Sequence, residues 1–494
     1  MLRDSTESMN TTFEVMAKIK QMMPALEEDD VLRTRIVGVP ELLSEKEKWH
    51  DAISGEMRQL FDEKQALVRL SDQDLEDLKK KWGASLVVIP MKAVLTKKPG
   101  PRRRFRLVAC GNFVEKGAAE DVYTSGADAL TVRYALKRAA EERWSGVVVD
   151  IKVAFLNAPL VDEDDDPELE AAVVLRPPPL LVKLGYARPG ECYRAEKAIY
   201  GLRQSPKRWG DHRNRRLFAM RTQSGYVFRP SAAEQNLWRI LWVGREGQSE
   251  ETDEIDSLLY GFLLVYVDDL LILAVKWLAE EVLQTLKGEW AMSTPEWLGR
   301  TSVRFLGMEI VEHERGFLAN QANYIWAKEG VDATLKPATP CPRDMNPDVE
   351  DPVLPEKVKD AQKAVGELLW LSTRTRPELS YVIAKCSQMI LKAPGWVVSA
   401  TDHIWQYLKA TAREGIWFLR DVGTSTEGLR PAGLEVYSDI SYAPHGDVSH
   451  GSIFVTWNKS VMWWRSSKQS FPTMSTAESE LCEAIEGFMI GGLG

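Results

Sequence analysis

Paired cysteines are missing from this sequence. The five it has, Cys110, Cys192, Cys341, Cys386 and Cys482, are odd in number and far apart, and no two are spaced Cys-x-x-Cys. A disulfide framework is thereby excluded and a reducing compartment favoured. Histidine is equally sparse. The six, His50, His212, His313, His403, His445 and His450, include no His-x-x-x-His beside a cysteine pair, so no zinc domain or zinc knuckle is expected. His445 and His450 flank a Gly-Asp loop and read as loop residues. An Asp-Thr/Ser-Gly protease signature is also absent. Basic residues are not in excess: Lys plus Arg number 63 against 72 Asp plus Glu, for a net charge of −9. That excludes a surface coated in cations but leaves room for a local nucleic-acid groove. The opening MLRDSTESMNTTFEVM has no apolar core of signal-peptide length, so secretion is not expected.

A second long apolar run is lacking too. The one present, LLYGFLLVYVDDLLILAVK (258–276), could span a bilayer as a helix. Asp268 and Asp269 at its middle would each cost roughly 2.5–3.5 kcal/mol on insertion. Two buried strands, FLLVYV and LLILAV, folded back about Asp268-Asp269 satisfy the same residues at less cost. What is there is globular: 494 residues, 44% hydrophobic and 27% charged. At roughly 150 residues per domain, about three domains are expected.

Residues 1–45 are polar and aperiodic and read as a linker or N-terminal extension. Glu45 to Lys81 reads as helix. Residues 84–95 and 104–110 read as strands joined by the basic turn TKKPGPRRR. An amphipathic helix over 131–144 precedes a strand over 147–151. The acidic stretches Asp162–Glu170 and 246–256 are solvated loops that hold much of the negative charge. A Pro- and Asp-rich linker spans 336–356, then helices cover 357–372, 376–393 and 396–413. The strands LEVYSD, GSIFVTW and VMWWRSS lead to a helix from about Ser475. There is no internal repeat.

The carboxylates carry the first chemical signal. Asp150 ends the apolar strand VVVD, and Asp268-Asp269 lie at a tight turn. A strand-end Asp beside a turn-borne pair can bring three hard oxygen ligands to one Mg²⁺, with Mn²⁺ as the alternative ion. Taken alone, Asp-Asp reads first as an ordinary hairpin turn and Asp150 as a strand cap; the surrounding motifs reverse that. Arg106 alternates with Phe105 and Leu107, so it faces away from the core, where a guanidinium can fork onto phosphate. Arg102 to Arg104 read as part of the same phosphate-facing basic stretch or as a solvated hairpin tip, with a nuclear-localisation patch as the weaker alternative.

DIKVAFLNAPL (150–160), YGLRQSPKRW (200–209), YVDDLLIL (266–273) and RFLGMEI (304–310) occur in that order. They resemble the successive motifs of reverse transcriptases from copia-type LTR retrotransposons. RFRLVACGNFVEKG (104–117) extends the match upstream. AVGELLWLSTRTRPELSYVIAKCSQ (364–388) is similar to the segment linking polymerase to ribonuclease H in those Pol polyproteins. YSDISYAPHGDVSHGSIFV (437–455) and WWRSSKQSFPTMSTAESELCEAIEG (463–487) resemble the start of their RNase H. The resemblance covers about residues 46–494.

The resemblance implies a mixed α+β fold. Fingers and palm of a right-hand polymerase would occupy 46–335, a linker and helical thumb or connection 336–430, and a truncated RNase H-like domain 431–494. It implies an RNA- and DNA-directed DNA polymerase using an RNA template, a DNA primer and dNTPs. In it Asp150, Asp268 and Asp269 are catalytic metal ligands. Arg106 and Lys92 bind the triphosphate. Phe155 lies beneath the incoming sugar, a place that core packing would also give it, and Gln204 and Ser205 shape the nucleotide pocket. Tyr200 and Trp209 pack the core. Gly307 and Met308 form a primer-holding hairpin, unless Gly307 is a plain turn glycine. Asp439 and Glu480, with Glu478 as fallback, match RNase H ligands. A further Asp would be needed, so RNase H activity is not expected. The chain would be the C-terminal polymerase portion of a polyprotein, or a reading frame eroded to it. It would act in the cytoplasm, within virus-like particles and with nuclear access, beside other Gag and Pol products and apart from membranes. The rival function is a decayed or co-opted remnant that binds nucleic acid without turnover; a stand-alone Mg²⁺ nuclease is the third reading.

Overall fold

The computed structural model describes residues 35–83, 86–97, 102–113, 126–161, 173–244, 259–345, 353–420, 433–442 and 448–492. Most of the expected N-terminal linker, the tip of the basic turn, both acidic loops and His445 lie outside them. The chain forms two compact units. One comprises 32–127 and 146–296, and the other includes 128–145 and 297–494. These units cut across the four consecutive segments expected from the sequence. Among the described residues no helix is long and apolar enough to cross a membrane.

The first unit holds two sheets built from β1 (Arg35–Ile36), β2 (Leu67–Leu70), β3 (Val87–Lys97), β4 (Arg103–Ala109), β5 (Ser145–Asp150), β6 (Val173–Arg176), β7 (Cys192–Ala195), β8 (Tyr226–Pro230), β9 (Leu237–Trp242), β10 (Leu259–Tyr266) and β11 (Asp269–Ala274). In one sheet the order is β1-β3-β6-β7-β2, with β4 also paired to β3. The helix Lys46–Arg58 buries Trp49, Ile53 and Met57, a 4-residue spacing that keeps one face on the core shared with Phe105 and Leu107. The sequence reading of Glu45 to Lys81 as helix is corrected between its two helical stretches. Leu67–Leu70 pairs with β7, and a second helix begins at Asp72, where Ser71 and Asp74 form a capping box.

The other sheet runs β5-β11-β10-β9-β8, bordered at β5 by β12 (Glu296–Trp297), where the chain leaves this unit. Val147–Val149 and Leu270–Ala274 are buried throughout, as strands covered on both faces require. The helix Lys276–Glu289 turns Leu278, Ala279, Val282, Leu283 and Leu286 inward.

The second unit begins with the amphipathic helix, at Ala129–Glu141, and carries two cations into its interior. Arg133 donates to the carbonyls of Thr373 and Arg374, where the helix Pro355–Ser372 ends and its dipole favours a cation. Its guanidinium stands 4.4 Å from the Trp464 ring. A sheet of β13 (Val303–Phe305), β14 (Met308–His313), β15 (Gly316–Asn320) and β16 (Gly415–Leu419) is completed across almost a hundred residues. Lys137 donates to the carbonyl of Leu419 in its last strand. Between β15 and β16 the helices Pro355–Ser372, Ser380–Met389 and Pro394–Ala410 share an apolar cluster around Leu368, Ile383 and Ile404. Finally β17 (Leu434–Ser441), β18 (His450–Trp457) and β19 (Ser460–Lys468) form an antiparallel sheet that packs against the helix Thr476–Gly492.

Candidate active site

Three apolar strands deliver three carboxylates to one place. β5 ends on the half-buried Asp150. β10 and β11 pair with Tyr266 opposite Asp269, so the turn is Val267-Asp268 and Asp269 already belongs to β11. Val267 sits in the left-handed region at φ +59°, an unusual place for a β-branched residue. Its carbonyl is held by two donors from the helix Ser205–Ala219, Trp209 Nε1 at 2.9 Å and Arg213 Nη1 at 3.2 Å. The Asp268 carbonyl accepts the Ile151 N–H at 2.8 Å, which stitches the turn to the end of β5. Ser293 clamps Asp150 from the other side. Its hydroxyl accepts the Asp150 N–H at 2.9 Å and its own N–H donates to the Asp150 carbonyl at 2.8 Å.

As a result, ligand oxygens of Asp150, Asp268 and Asp269 all lie within 4.8 Å of one another, the sole such group of three among the described residues. Burial, then the charges of Asp268, Asp150 and Glu296, pushes the Asp269 carboxyl up to about 7. A donor set of oxygens only, with its negative charges crowded together, fits a hard divalent cation.

A second group lies in the same unit. Phe105, Leu107 and Ala109 are buried and Arg106 projects from the opposite face of β4, as the alternation requires. The β3–β4 register places Lys92 opposite Val108 and Val94 opposite Arg106, so Lys92 and Arg106 share a face. The Arg106 guanidinium stands 4.4 Å from the Tyr200 ring. Tyr200 in turn meets Phe155 edge-on, with centroids 5.1 Å apart. Burial raises the Tyr200 hydroxyl pKa; Arg106 opposes this, and Asp268 and Glu56 add to it. Tyr200 is therefore electrostatically linked to both the arginine and the carboxylates. Behind Arg106, Glu56 accepts the Leu107 N–H at 3.1 Å, and burial pushes its carboxyl up to about 7. Gln204 is the half-buried residue that starts the helix Ser205–Ala219. Ser205 is buried and donates to the Ile199 carbonyl at 2.7 Å, which commits its hydroxyl to the fold.

The remaining expected residues lie in the second unit. Gly307 forms the β13–β14 turn at φ +71°, following Leu306 at φ +51°. A Cβ on Gly307 would stand 2.5 Å from the Trp370 ring, so only glycine lets the turn approach this close. Met308 is fully buried and offers a primer no side-chain surface. Asp439 on β17 and Glu480 on the last helix are both exposed. Glu478 accepts the Met474 N–H at 2.6 Å, a capping contact for that helix. Asp439, Glu478 and Glu480 are not gathered as a three-ligand group. Glu483, one turn after Ser479, is the buried acid of that helix and pairs with Arg465 at 3.5 Å. Leu481, Ile485 and Met489 on the same helix are exposed, as an unpartnered apolar face would be.

Sequence reasoning missed Arg213, Glu56 and the place of Tyr200. Arg213 has one legible signal, its position one helical turn after Trp209, which aims both at the same carbonyl. Glu56 has none, because most exposed positions of its helix are also acidic or basic.

Comparison with known proteins bears on the same residues. Residues 83–328 match the family model described as reverse transcriptase (RNA-dependent DNA polymerase). The chain is 28% identical over 409 residues to the retrovirus-related Pol polyprotein from transposon RE2 of Arabidopsis thaliana, covering 80% of this chain and 25% of that protein. With the corresponding polyprotein from transposon RE1 it shares 27% over 393 residues, 77% of this chain and 23% of the other. With the transposon Ty1-LR2 Gag-Pol polyprotein of Saccharomyces cerevisiae it shares 23% over 464 residues, 89% of this chain and 23% of the other. The chain thus spans about a quarter of the length of these relatives.

Proposed function

We propose, from the premise that residues 83–328 belong to the reverse transcriptase family, that this chain is an RNA- and DNA-directed DNA polymerase of a copia-type retrotransposon. The reaction is nucleotidyl transfer from a dNTP to a primer 3′-hydroxyl. The observation that carries the reading is the convergence of Asp150, Asp268 and Asp269 within that domain. These three would hold Mg²⁺, or Mn²⁺ in its place. When bound, the metal supplies charge neutralisation of the triphosphate and a lowered pKa for the attacking hydroxyl.

The chain's own residues do the rest. Arg106 and Lys92, on one face of the β3–β4 hairpin, draw in the triphosphate by charge. Tyr200 supports the Arg106 guanidinium on its ring face and backs Phe155 with its edge. Phe155, so held, excludes a ribose 2′-hydroxyl by contact. Gln204 shapes the pocket near the template base. Trp209 and Arg213 fix the Val267 carbonyl and therefore the turn that presents Asp268. The Gly307 turn holds the primer end. The partners are an RNA template, a DNA primer and other Gag and Pol products, in the cytoplasm within virus-like particles and with access to the nucleus.

Asp268→Asn tests the assignment. Catalysis by positioning and charge does not tolerate the loss of a ligand. Primer extension should fall below detection while template–primer binding stays within about twofold of wild type. Full extension by the variant would refute the metal assignment. Binding without extension by the wild-type chain would favour the decayed remnant instead.

A further inference from the structure

A group of cations outside the carboxylate site has no acidic partner among the described residues. Lys385 lies on the helix Ser380–Met389 and is only 9% exposed. Lys392 follows that helix, and Lys468 is the last residue of β19. The helix packs on β19. The three are close enough that Lys468 and Lys392, after burial itself, depress the Lys385 ammonium below the usual lysine range. Among the described residues no carboxylate lies within ion-pair distance of any of them.

Two rings border this group. His450 stands directly opposite Lys468 in the β18–β19 register. Its imidazole meets Tyr381 edge-on, with centroids 5.1 Å apart, and its Nε2 lies 2.9 Å from Ser466 Oγ. Tyr381 is one helical turn before Lys385, on the same helix face, and is 37% exposed. One helix, the turn after it and two strand ends thus bring three ammonium groups, an imidazole and a phenol together.

Like charges gathered with no counter-charge among the described residues, one of them nearly buried, oppose folding. An anion arriving from outside would offset that cost. Lysine is a compact point charge that meets phosphate oxygens without a fixed geometry. Several phosphates in a row, as on a nucleic-acid backbone, would meet several lysines at once.

We propose that Lys385, Lys392 and Lys468, bordered by Tyr381 and His450, form a contact for the sugar–phosphate backbone of the template–primer duplex. This rests on the polymerase reading, which supplies the duplex. The test is the salt dependence of binding to an RNA–DNA template–primer, measured by fluorescence anisotropy on the full chain over a series of KCl concentrations. Each neutralised phosphate contributes about 0.9 to the slope of log K against log salt, so Lys385→Gln, Lys392→Gln and Lys468→Gln together should lower that slope by about 2 to 3. Because Lys385 is nearly buried, the double variant of the exposed Lys392 and Lys468 is measured beside it, with about 2 expected. A control removes the same charge at Lys79, Lys80 and Lys81, at the end of the helix Asp72–Trp82, and should leave the slope unchanged. An unchanged slope in the double variant, or an equal fall in the control, overturns the proposal. If the wild-type chain binds and extends the duplex while these slopes coincide, only the lysine contact fails. If it binds no duplex at all, the polymerase reading fails with it.

Discussion

Three glycines of the first unit should respond to the same substitution in three different ways. Gly201, between Tyr200 and Leu202, has φ +90°, and a Cβ there would run into the carbonyl oxygen of Ala109. The loop is hydrogen-bonded to the end of β4 through Ala109 N–H to Tyr200 at 2.7 Å and Gly111 N–H to Gly201 at 3.1 Å. Gly201→Ala therefore adds left-handed strain of roughly 1–2 kcal/mol and weakens two hydrogen bonds of about 1 kcal/mol each, for a loss of about 3–4 kcal/mol. Gly185 has φ +80° but nothing within 4 Å of its Cβ position. It closes the helix Pro179–Lys183, with its N–H bonded to Val182 and that of Tyr186 bonded to Leu181, a Schellman arrangement. Gly185→Ala should cost only the strain, about 1 kcal/mol. Gly55, inside the helix Lys46–Arg58 with open space around it, should gain about 0.5–1 kcal/mol as alanine. Thermal unfolding should rank the chains Gly201→Ala, Gly185→Ala, wild type, Gly55→Ala, from least to most stable. Primer-extension kinetics should show a raised KM for dNTP in Gly201→Ala alone, because that loop carries Tyr200. If Gly201→Ala is no worse than Gly185→Ala in either measurement, the close approach to β4 does not hold the loop.

Two further outcomes follow from the same site. Phe155→Val should raise the ratio of ribonucleotide to deoxynucleotide incorporation by roughly tenfold or more, since about 1.4 kcal/mol of lost clash suffices for that factor; an unmoved ratio would assign the ring to packing alone. Glu56, raised to about 7 by burial from its ordinary 4.5, holds its proton more tightly in the folded state. Between those values the native state binds more protons than the unfolded one, so stability falls as pH rises from about 4.5 to about 7 and is flat above. The full span is on the order of 3 kcal/mol. Asp269, raised in the same direction, adds to this trend. Glu56→Gln should flatten its share, and identical pH–stability curves for variant and wild type between pH 5 and 8 would exclude Glu56 as the source.

Local pattern was legible and long-range pairing was not. The Val-, Leu- and Ile-rich runs around Asp268-Asp269 read correctly as a buried hairpin, because two central carboxylates rule out the membrane helix. Its turn was misplaced by one residue, since nothing in the sequence marks Val267 as the residue at positive φ. The C-terminal helix and strands fell within a few residues of their observed bounds, where proline and glycine punctuate the chain. Leu67–Leu70 was hidden because four apolar-rich residues between two helices give no period of their own. The pairing of Gly415–Leu419 with Gly316–Asn320 depends on everything folded between them. Likewise the helix Ala129–Glu141 joins the later part of the chain through Arg133 and Lys137, whose carbonyl partners lie more than 200 residues away. For the site, the three aspartates were visible as motif residues. Arg213 and Glu56 were not, because a buried ion in a charged helix looks like a surface one until its neighbours are known.

Primer extension on poly(rA)/oligo(dT) with dTTP tests the central claim most directly, comparing the wild-type chain with Asp150→Asn in Mg²⁺ and in EDTA. The account predicts extension by the wild type in Mg²⁺, none in EDTA, and none by Asp150→Asn at any Mg²⁺ concentration although it still binds the duplex. No extension by a wild-type chain that binds the duplex, or undiminished extension by Asp150→Asn, would contradict it.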